Sequence, residues 1–440
     1  MQVETPIRRA TDDLIERRKK VVSNGVGIFA PTSAVRASGA ALFDADGREW
    51  IDFGAGIGVV TAGHCPPPVV EAIKQQADQL LHACFHVSSY EPYIRLCEIL
   101  VEIFPHGGPT KVMLTNTGAE AVENAIKIAR QYTGRPAVLC YSEAFHGRSM
   151  MAMTLTSKIS YKAGCGPFAP EVYRIPFPNL YTRPEGLSEA DFVQYEINRL
   201  HHTFETMVPA KEVAAIIIEP IQGEGGFNVV PRAYFQALRD TCTKHGIVLI
   251  ADEVQSGFCR TGKWAAYEHY GIDPDLSTWA KALGSGLPIG CVIGKAEVMD
   301  GARPGSIGGT YPGNPVCCAA AIATLEFMKE HNLNARGEAI GNRMRHRFEA
   351  MMHRFPDRVG DVRGLGAMLA IELIEGGDKR KPGTTFTDRL LRYCWDRQLL
   401  VLVAGIHRNI IRVLLPLVIT DEQLERGLDI IESALEHCHD

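Results

Sequence analysis

Four stretches of this chain carry residues whose types and spacing could do chemistry together. Ile247-Val248-Leu249-Ile250-Ala251-Asp252-Glu253-Val254-Gln255 is an apolar strand that ends in carboxylates, where a doubly wound sheet presents its ligands. A carboxylate there needs a cationic partner, although metal-binding and nucleotide-binding proteins use the same arrangement. Further on, Leu276-Ser277-Thr278-Trp279-Ala280-Lys281-Ala282-Leu283-Gly284 sets one lysine in an apolar run just before a glycine-rich turn. Burial lowers a lysine pKa, and a neutral amine attacks an aldehyde to form a Schiff base. Taken alone, it also reads as a surface lysine at a strand end. Thr115-Asn116-Thr117-Gly118-Ala119-Glu120-Ala121 joins a strand to a helix, and Gly118 lets the backbone turn tightly so that helix N–H groups face an anion such as phosphate. It is neither a Walker A loop nor a Gly-x-Gly-x-x-Gly loop, and an ordinary helix cap has the same residues. Ala144-Phe145-His146-Gly147-Arg148 offers an aromatic face followed by a cation.

The set comprises an anion cradle, a ring-stacking face, a carboxylate for a pyridinium nitrogen and an amine that captures an aldehyde. Pyridoxal phosphate uses those four supports.

Convergence of these residues requires a particular set of elements. From about residue 96 to about residue 325, short β-branched runs alternate with helical patterns, which is how a mostly parallel sheet covered by helices reads. Strands are expected at residues 111–115, 137–141, 214–219 and 247–252, and helices at 119–132, 231–245 and 316–330. Residues 8–23 read as a charged helical arm, and Asp46-Gly47 between apolar flanks as a hairpin turn. Beyond residues 332–337 the pattern becomes a long helix, a strand over about 362–373, a solvated loop at 376–382, then helix, strands and an amphipathic helix from Asp421. The expected organisation is an N-terminal segment, 1–70, that contributes to a small domain, a large cofactor domain, 71–332, and a C-terminal small α+β domain, 333–440.

Composition narrows the function classes. With 46 Lys plus Arg against 51 Asp plus Glu in 440 residues, the net charge is −5, which excludes a strongly basic nucleic-acid coat. A hydrophobic content of 46% suits sizeable cores. The absence of a signal peptide or a long apolar run leads to the expectation of a soluble, cytoplasmic protein with no membrane partner. Twelve scattered cysteines without a Cys-x-x-Cys are read as reduced thiols, with neither bridges nor a metal site.

Several motifs then stand in a familiar order: Thr117-Gly118-Ala119-Glu120-Ala121, Phe145-His146-Gly147-Arg148, Glu219-Pro220-Ile221-Gln222-Gly223-Glu224-Gly225-Gly226, Asp252-Glu253-Val254-Gln255-Ser256-Gly257, Lys281, Gly308-Gly309-Thr310-Tyr311-Pro312-Gly313-Asn314-Pro315 and Val362-Arg363-Gly364-Leu365-Gly366. This order resembles the class-III, ω-amino-acid aminotransferases of fold type I over nearly the whole chain, and most of all their bacterial 4-aminobutyrate members. The resemblance implies an α/β fold type I transferase dependent on pyridoxal 5'-phosphate, with a mostly parallel seven-stranded sheet flanked by helices and a smaller α+β domain. It implies that Lys281 holds the cofactor as a Schiff base and then shuttles a proton. Asp252 would pair with the pyridine nitrogen. Phe145, with His146 next to it, and Val254 would bracket the ring, and Gln255 would contact its hydroxyl. Thr117, Gly118 and Ala119 would hold the phosphate. Thr310 would reach the phosphate of a neighbouring subunit, so a homodimer is implied, with dimer pairing into tetramers left open.

The same resemblance implies ping-pong transfer from an ω-amino acid, 4-aminobutyrate first, to 2-oxoglutarate, giving a semialdehyde and glutamate. One pocket must then accept carboxylates at different ends. In the family, an arginine late in the chain binds the α-carboxylate, and a glutamate neutralises it when the substrate has none; Arg412 and Glu224 match them. Arg148 matches the arginine for the distal carboxylate and Ile57 the apolar residue beside it. Cys84-Phe85-His86 and Ala404-Gly405-Ile406-His407-Arg408-Asn409 depart from the 4-aminobutyrate enzymes, leaving room for 5-aminovalerate, β-alanine, another ω-amino acid or a diamine. An amino-acid racemase, epimerase or aminomutase on the same scaffold is the alternative activity, and retention of both Glu224 and Arg412 argues against it. Intact Lys281 and Asp252 argue against a non-catalytic scaffold.

Overall fold

Residues 213–218 and 248–252 are buried at every position, as strands covered on both faces must be. In the computed structural model, which describes residues 10–438, they lie at the middle of a seven-stranded sheet. Its spatial order is Thr110–Thr115, Gly290–Lys295, Leu276–Trp279, Val248–Asp252, Val213–Ile218, Ala137–Tyr141 and Val172–Ile175. Pairing is parallel from Leu276–Trp279 through to Val172–Ile175. Gly290–Lys295 runs against both of its neighbours. The sheet is thus mostly parallel, and the expected strands are present to within a residue.

Alternation along these strands feeds two cores. Ile216, Ile218, Leu249 and Ala251 face one, with Phe258 and Trp279, while Ala215, Ile217, Val248 and Ile250 face the other. Helix Gly118–Thr133 closes the second core with Ala121, Val122, Ala125, Ile126, Ile128 and Ala129, one face of a 3.6-residue period. Thr117 starts this helix by accepting the Glu120 N–H at 3.1 Å, and Gly134, at φ 69°, ends it. Each fully buried Ile or Leu contributes about 1.5–3 kcal/mol, so it is the cores that fix the strand–helix junctions in place. Because six strands point the same way, the segments after Thr115, Tyr141, Ile218, Asp252 and Trp279 emerge together at one edge.

A second sheet pairs Arg36–Ser38, Ala41–Phe43 and Glu49–Asp52, with the hairpin turn at Asp46-Gly47, and lays Leu399–Leu400 alongside Glu49–Asp52. The early and late parts of the chain therefore share one sheet. A third sheet orders Val359–Leu365, Met368–Glu375, Ile410–Val413 and Leu402–Ala404.

Two expectations are corrected here. Residues 362–373 are not one strand but parts of a hairpin, Val359–Leu365 and Met368–Glu375, turning at Gly366 and Ala367. Gly366 sits at φ 50°, and a Cβ on it would lie 2.3 Å from the Thr261 carbonyl carbon, so the break is imposed by a distant segment. Residues 376–382 are not a solvated loop throughout: Asp378–Pro382 forms a short strand on Met368–Glu375, with its charged side chains outward at a sheet edge. The arm forms helix Ala10–Val21, with Arg8 and Arg9 outside the described residues, and the last helix runs Asp421–His437 behind the Thr420 cap. The twelve cysteines are free. No helix among the described residues is long and apolar enough to cross a membrane.

Candidate active site

The five segments leaving the strand ends enclose a cavity of about 500 Å³. Thr117, Gly118, Ala119, Phe145, His146, Arg148, Glu224, Asp252, Val254, Gln255 and Lys281 all line it. Two residues expected at the site do not: Arg412 joins it through Glu224, and Ile57 lines a separate recess of about 50 Å³ that also touches Arg412. Thr310, expected at the site of a neighbouring subunit, lies on an exposed loop.

Asp252 ends its strand almost fully buried, with Oδ2 2.6 Å from His146 Nδ1 and Oδ1 accepting the Val254 N–H at 3.1 Å. Both oxygens are thus oriented by neighbours. Lys281 follows the adjacent strand in a left-handed backbone conformation, φ 46°, which non-glycine residues adopt only when their surroundings hold them. Burial brings its amine down to about 8, against an opposing pull from Glu224. At pH 7 about a tenth of it is then neutral, compared with fewer than about one in a thousand for an ordinary lysine. A nucleophilic amine is available without a separate base.

The rest of the lining suits a flat, phosphorylated, hydroxylated ring. Gln255 Oε1 is buried without a partner and is an acceptor for a ring hydroxyl. It stands where a Cβ on Gly223 would be only 2.3 Å away, so glycine at 223 is needed for it to point there. Gly118 packs directly on Val254, since a Cβ would come within 2.9 Å of its Cγ1. Backbone N–H groups of a capped helix therefore stand beside the apolar Val254 wall of a cavity that Phe145 also lines. Pyridoxal phosphate fits this donor set: Lys281 for its aldehyde, Asp252 for its nitrogen, Gln255 for its hydroxyl and the start of Gly118–Thr133 for its phosphate.

Beside this set lies a buried ion pair. Arg412, on strand Ile410–Val413, hydrogen-bonds Glu224 Oε1, and both side chains are buried. Burial alone would raise the Glu224 carboxyl, but the charge and hydrogen bond of Arg412 outweigh it and hold the carboxyl below its usual range. Arg148 lines the cavity as an exposed guanidinium with no ion-pair partner among the described residues. One cation is thus neutralised and one is open.

Sequence reasoning missed three contributors. Glu219 accepts the Phe145 N–H through Oε1 at 2.8 Å and the Gly223 N–H through Oε2 at 2.9 Å, tying two of the loops together. Burial raises its carboxyl to about 7. It had the same signal as Asp252, a carboxylate closing a buried strand. Tyr161 donates to Glu224 Oε2 at 3.1 Å, and Lys158 donates to the Gly405 carbonyl at 3.1 Å. Neither has a local motif.

The sequence matches the family described as Aminotransferase class-III over residues 22–435. It is 46% identical over 421 residues to the probable 4-aminobutyrate aminotransferase of Bacillus subtilis, covering 96% of each chain. To the 5-aminovalerate aminotransferase of Pseudomonas aeruginosa it is 43% identical, covering 97% of this chain and 99% of that one. Its fold matches a solved taurine:2-oxoglutarate aminotransferase from Bifidobacterium kashiwanohense, in complex with PLP and glutamate, with a TM-score of 0.90 at 27% identity over 97% of each chain. Sequence, fold and a cavity lined by both a desolvated lysine and a strand-end aspartate agree: the chain belongs to the class-III aminotransferases, which depend on pyridoxal 5'-phosphate.

Proposed function

We propose that this enzyme transfers the amino group of an ω-amino acid, 4-aminobutyrate ahead of 5-aminovalerate, to 2-oxoglutarate. The observation that carries this reading is the buried Glu224–Arg412 pair beside a cavity that also holds Arg148, which has no ion-pair partner among the described residues. A substrate whose single carboxylate lies far from its amine has a fork to bind at Arg148, while Glu224 balances the charge of Arg412. 2-Oxoglutarate and glutamate bring a second carboxylate, which takes Arg412 once Glu224 swings aside. An isomerase that handles one substrate has no use for such a switch.

Bound pyridoxal phosphate supplies an electron sink for negative charge at the carbon that loses its proton. In our reading Lys281 would hold the cofactor through its aldehyde and, as the amine nearest the reacting carbon, would carry the proton. Asp252, oriented by His146, keeps the ring nitrogen protonated, while Phe145 and Val254 hold the ring flat and Gln255 its hydroxyl. Thr117, Gly118 and Ala119 hold the phosphate, joined by Thr310 across a homodimer, and Ile57 shapes the substrate side near Arg412. Free cysteines suit a cytoplasmic location. The relatives of similar identity act, by name, on donors differing by one methylene.

A missing or extra methylene shifts discrimination by about 10- to 200-fold. Half-reaction rates for β-alanine, 4-aminobutyrate and 5-aminovalerate, followed by loss of the bound cofactor's absorbance, are expected to peak at 4-aminobutyrate. A maximum at 5-aminovalerate would reassign the donor. Racemisation of a single amino acid with no glutamate formed would overturn transamination of this kind.

A further inference from the structure

Glu224 is held at more points than a simple ion pair needs. Oε1 meets Arg412, and Oε2 accepts the Tyr161 hydroxyl at 3.1 Å. The Glu224 carbonyl accepts the Gly405 N–H at 3.0 Å, and the Gly405 carbonyl in turn accepts Lys158 Nζ at 3.1 Å. With its backbone fixed in this way, Glu224 moves by rotating its own side-chain torsions. Tyr161 is itself braced: its ring meets Phe145 edge to face at 5.2 Å and 67°, and Lys158 Nζ lies 5.6 Å from the ring centre.

We propose that Tyr161 is a positioning residue that latches Glu224 onto Arg412 and so sets the enzyme's preference between substrates without an α-carboxylate and substrates with one. The proposal rests on the reading of Glu224 and Arg412 given above. A substrate α-carboxylate that displaces Glu224 takes over its bond to Arg412, whereas the Tyr161 bond is made to Glu224 itself and breaks when Glu224 leaves. The second bond therefore weighs on only one half of the reaction cycle. A hydroxyl donating to a carboxylate is among the stronger hydrogen bonds, because the acceptor is charged. Burial, with Glu224 adding to it, raises the Tyr161 hydroxyl to about 12, so it stays a donor across the working pH range.

The test is Tyr161→Phe in the cofactor-loaded enzyme, with the glutamate and 4-aminobutyrate half-reactions measured separately. The ratio of kcat/KM for glutamate to that for 4-aminobutyrate is expected to rise by about tenfold or more, since hydrogen bonds to charged groups are of that strength. A role limited to packing around Phe145 would lower both half-reactions by the same factor, and that result overturns the latch. Glu224→Ala and the double variant complete a cycle. If the latch acts through Glu224, Tyr161→Phe adds nothing to the ratio once Glu224 is gone. Should Glu224→Ala shift the ratio while Tyr161→Phe leaves it alone, the latch fails and the Glu224–Arg412 switch stands. A ratio unmoved by Glu224→Ala removes both.

Discussion

Lys281 concentrates two costs in one residue. Its left-handed backbone stores about 1–3 kcal/mol of conformational strain, and its amine sits where charge is disfavoured. Only the second depends on pH, so the two can be separated. A folded-state value of about 8 against an ordinary 10.5 means that the unfolded chain binds more protons between those pH values, and stability rises with pH across that window. Below pH 8 the folded protein carries the full penalty, up to about 3 kcal/mol. Lys281→Met keeps the strain and removes the charge. The cofactor-free variant should therefore melt above the cofactor-free parent at pH 7, with the gap closing towards pH 10.5, and turnover should be lost throughout. A gap of constant size would mean that the amine is not desolvated. Lys281 and Asp252 were legible in the sequence because each closes an apolar strand. The Glu224–Arg412 contact spans 188 residues and could be reached only through family resemblance, and the Tyr161–Glu224 contact spans 63 with no motif at the Tyr161 end.

Among the elements, the junction of Thr110–Thr115 with helix Gly118–Thr133 does the most to shape the site. The helix is held from behind by its buried face, so a side chain at residue 118 cannot be absorbed by sliding the helix back. Gly118→Ala would set a methyl 2.9 Å and 3.1 Å from the two Val254 methyls. The Val254 wall and the helix N–H groups, proposed above to pack on the ring and to hold the phosphate, would be pushed apart. Cofactor affinity should fall by about tenfold or more, because donors displaced by a few tenths of an ångström lose charge-assisted hydrogen bonds, while the cofactor-free protein melts within a few degrees of the parent. Fluorescence titration with pyridoxal phosphate checks this, and an unchanged Kd would mean that the phosphate is held elsewhere. The central strands were readable because burial on both faces leaves only apolar, β-branched residues. The turn at Gly366 was not, since Thr261 imposes it from another part of the fold, and Asp378–Pro382 was not, because an exposed edge strand keeps a loop's composition.

For the whole molecule, the question is where Thr310 acts. Its loop is fastened within its own chain: Tyr90 donates to the Gly313 carbonyl at 2.9 Å, Asn314 donates to the Leu81 carbonyl at 2.8 Å, and the rings of His82 and Tyr311 are 5.3 Å apart. Yet this braced surface leaves Leu81, Val87 and Tyr311 at least 61% exposed, as a face buried in the proposed homodimer would be in a single chain. Thr310 itself is exposed and lines no part of its own cavity. If it serves the site of a second copy, the two functions can be split between chains. Lys281→Ala removes the amine, and Thr310→Glu sets a negative charge against the phosphate, so each homodimer should be inactive. In a hybrid dimer, the chain that keeps Lys281 receives its threonine from the other chain, and one site of the two is whole. Random pairing makes half of the dimers hybrids, so co-expression should restore about a quarter of the parent's activity per mass of protein. If Thr310 served its own chain, no site in the hybrid would be complete and co-expression would restore nothing.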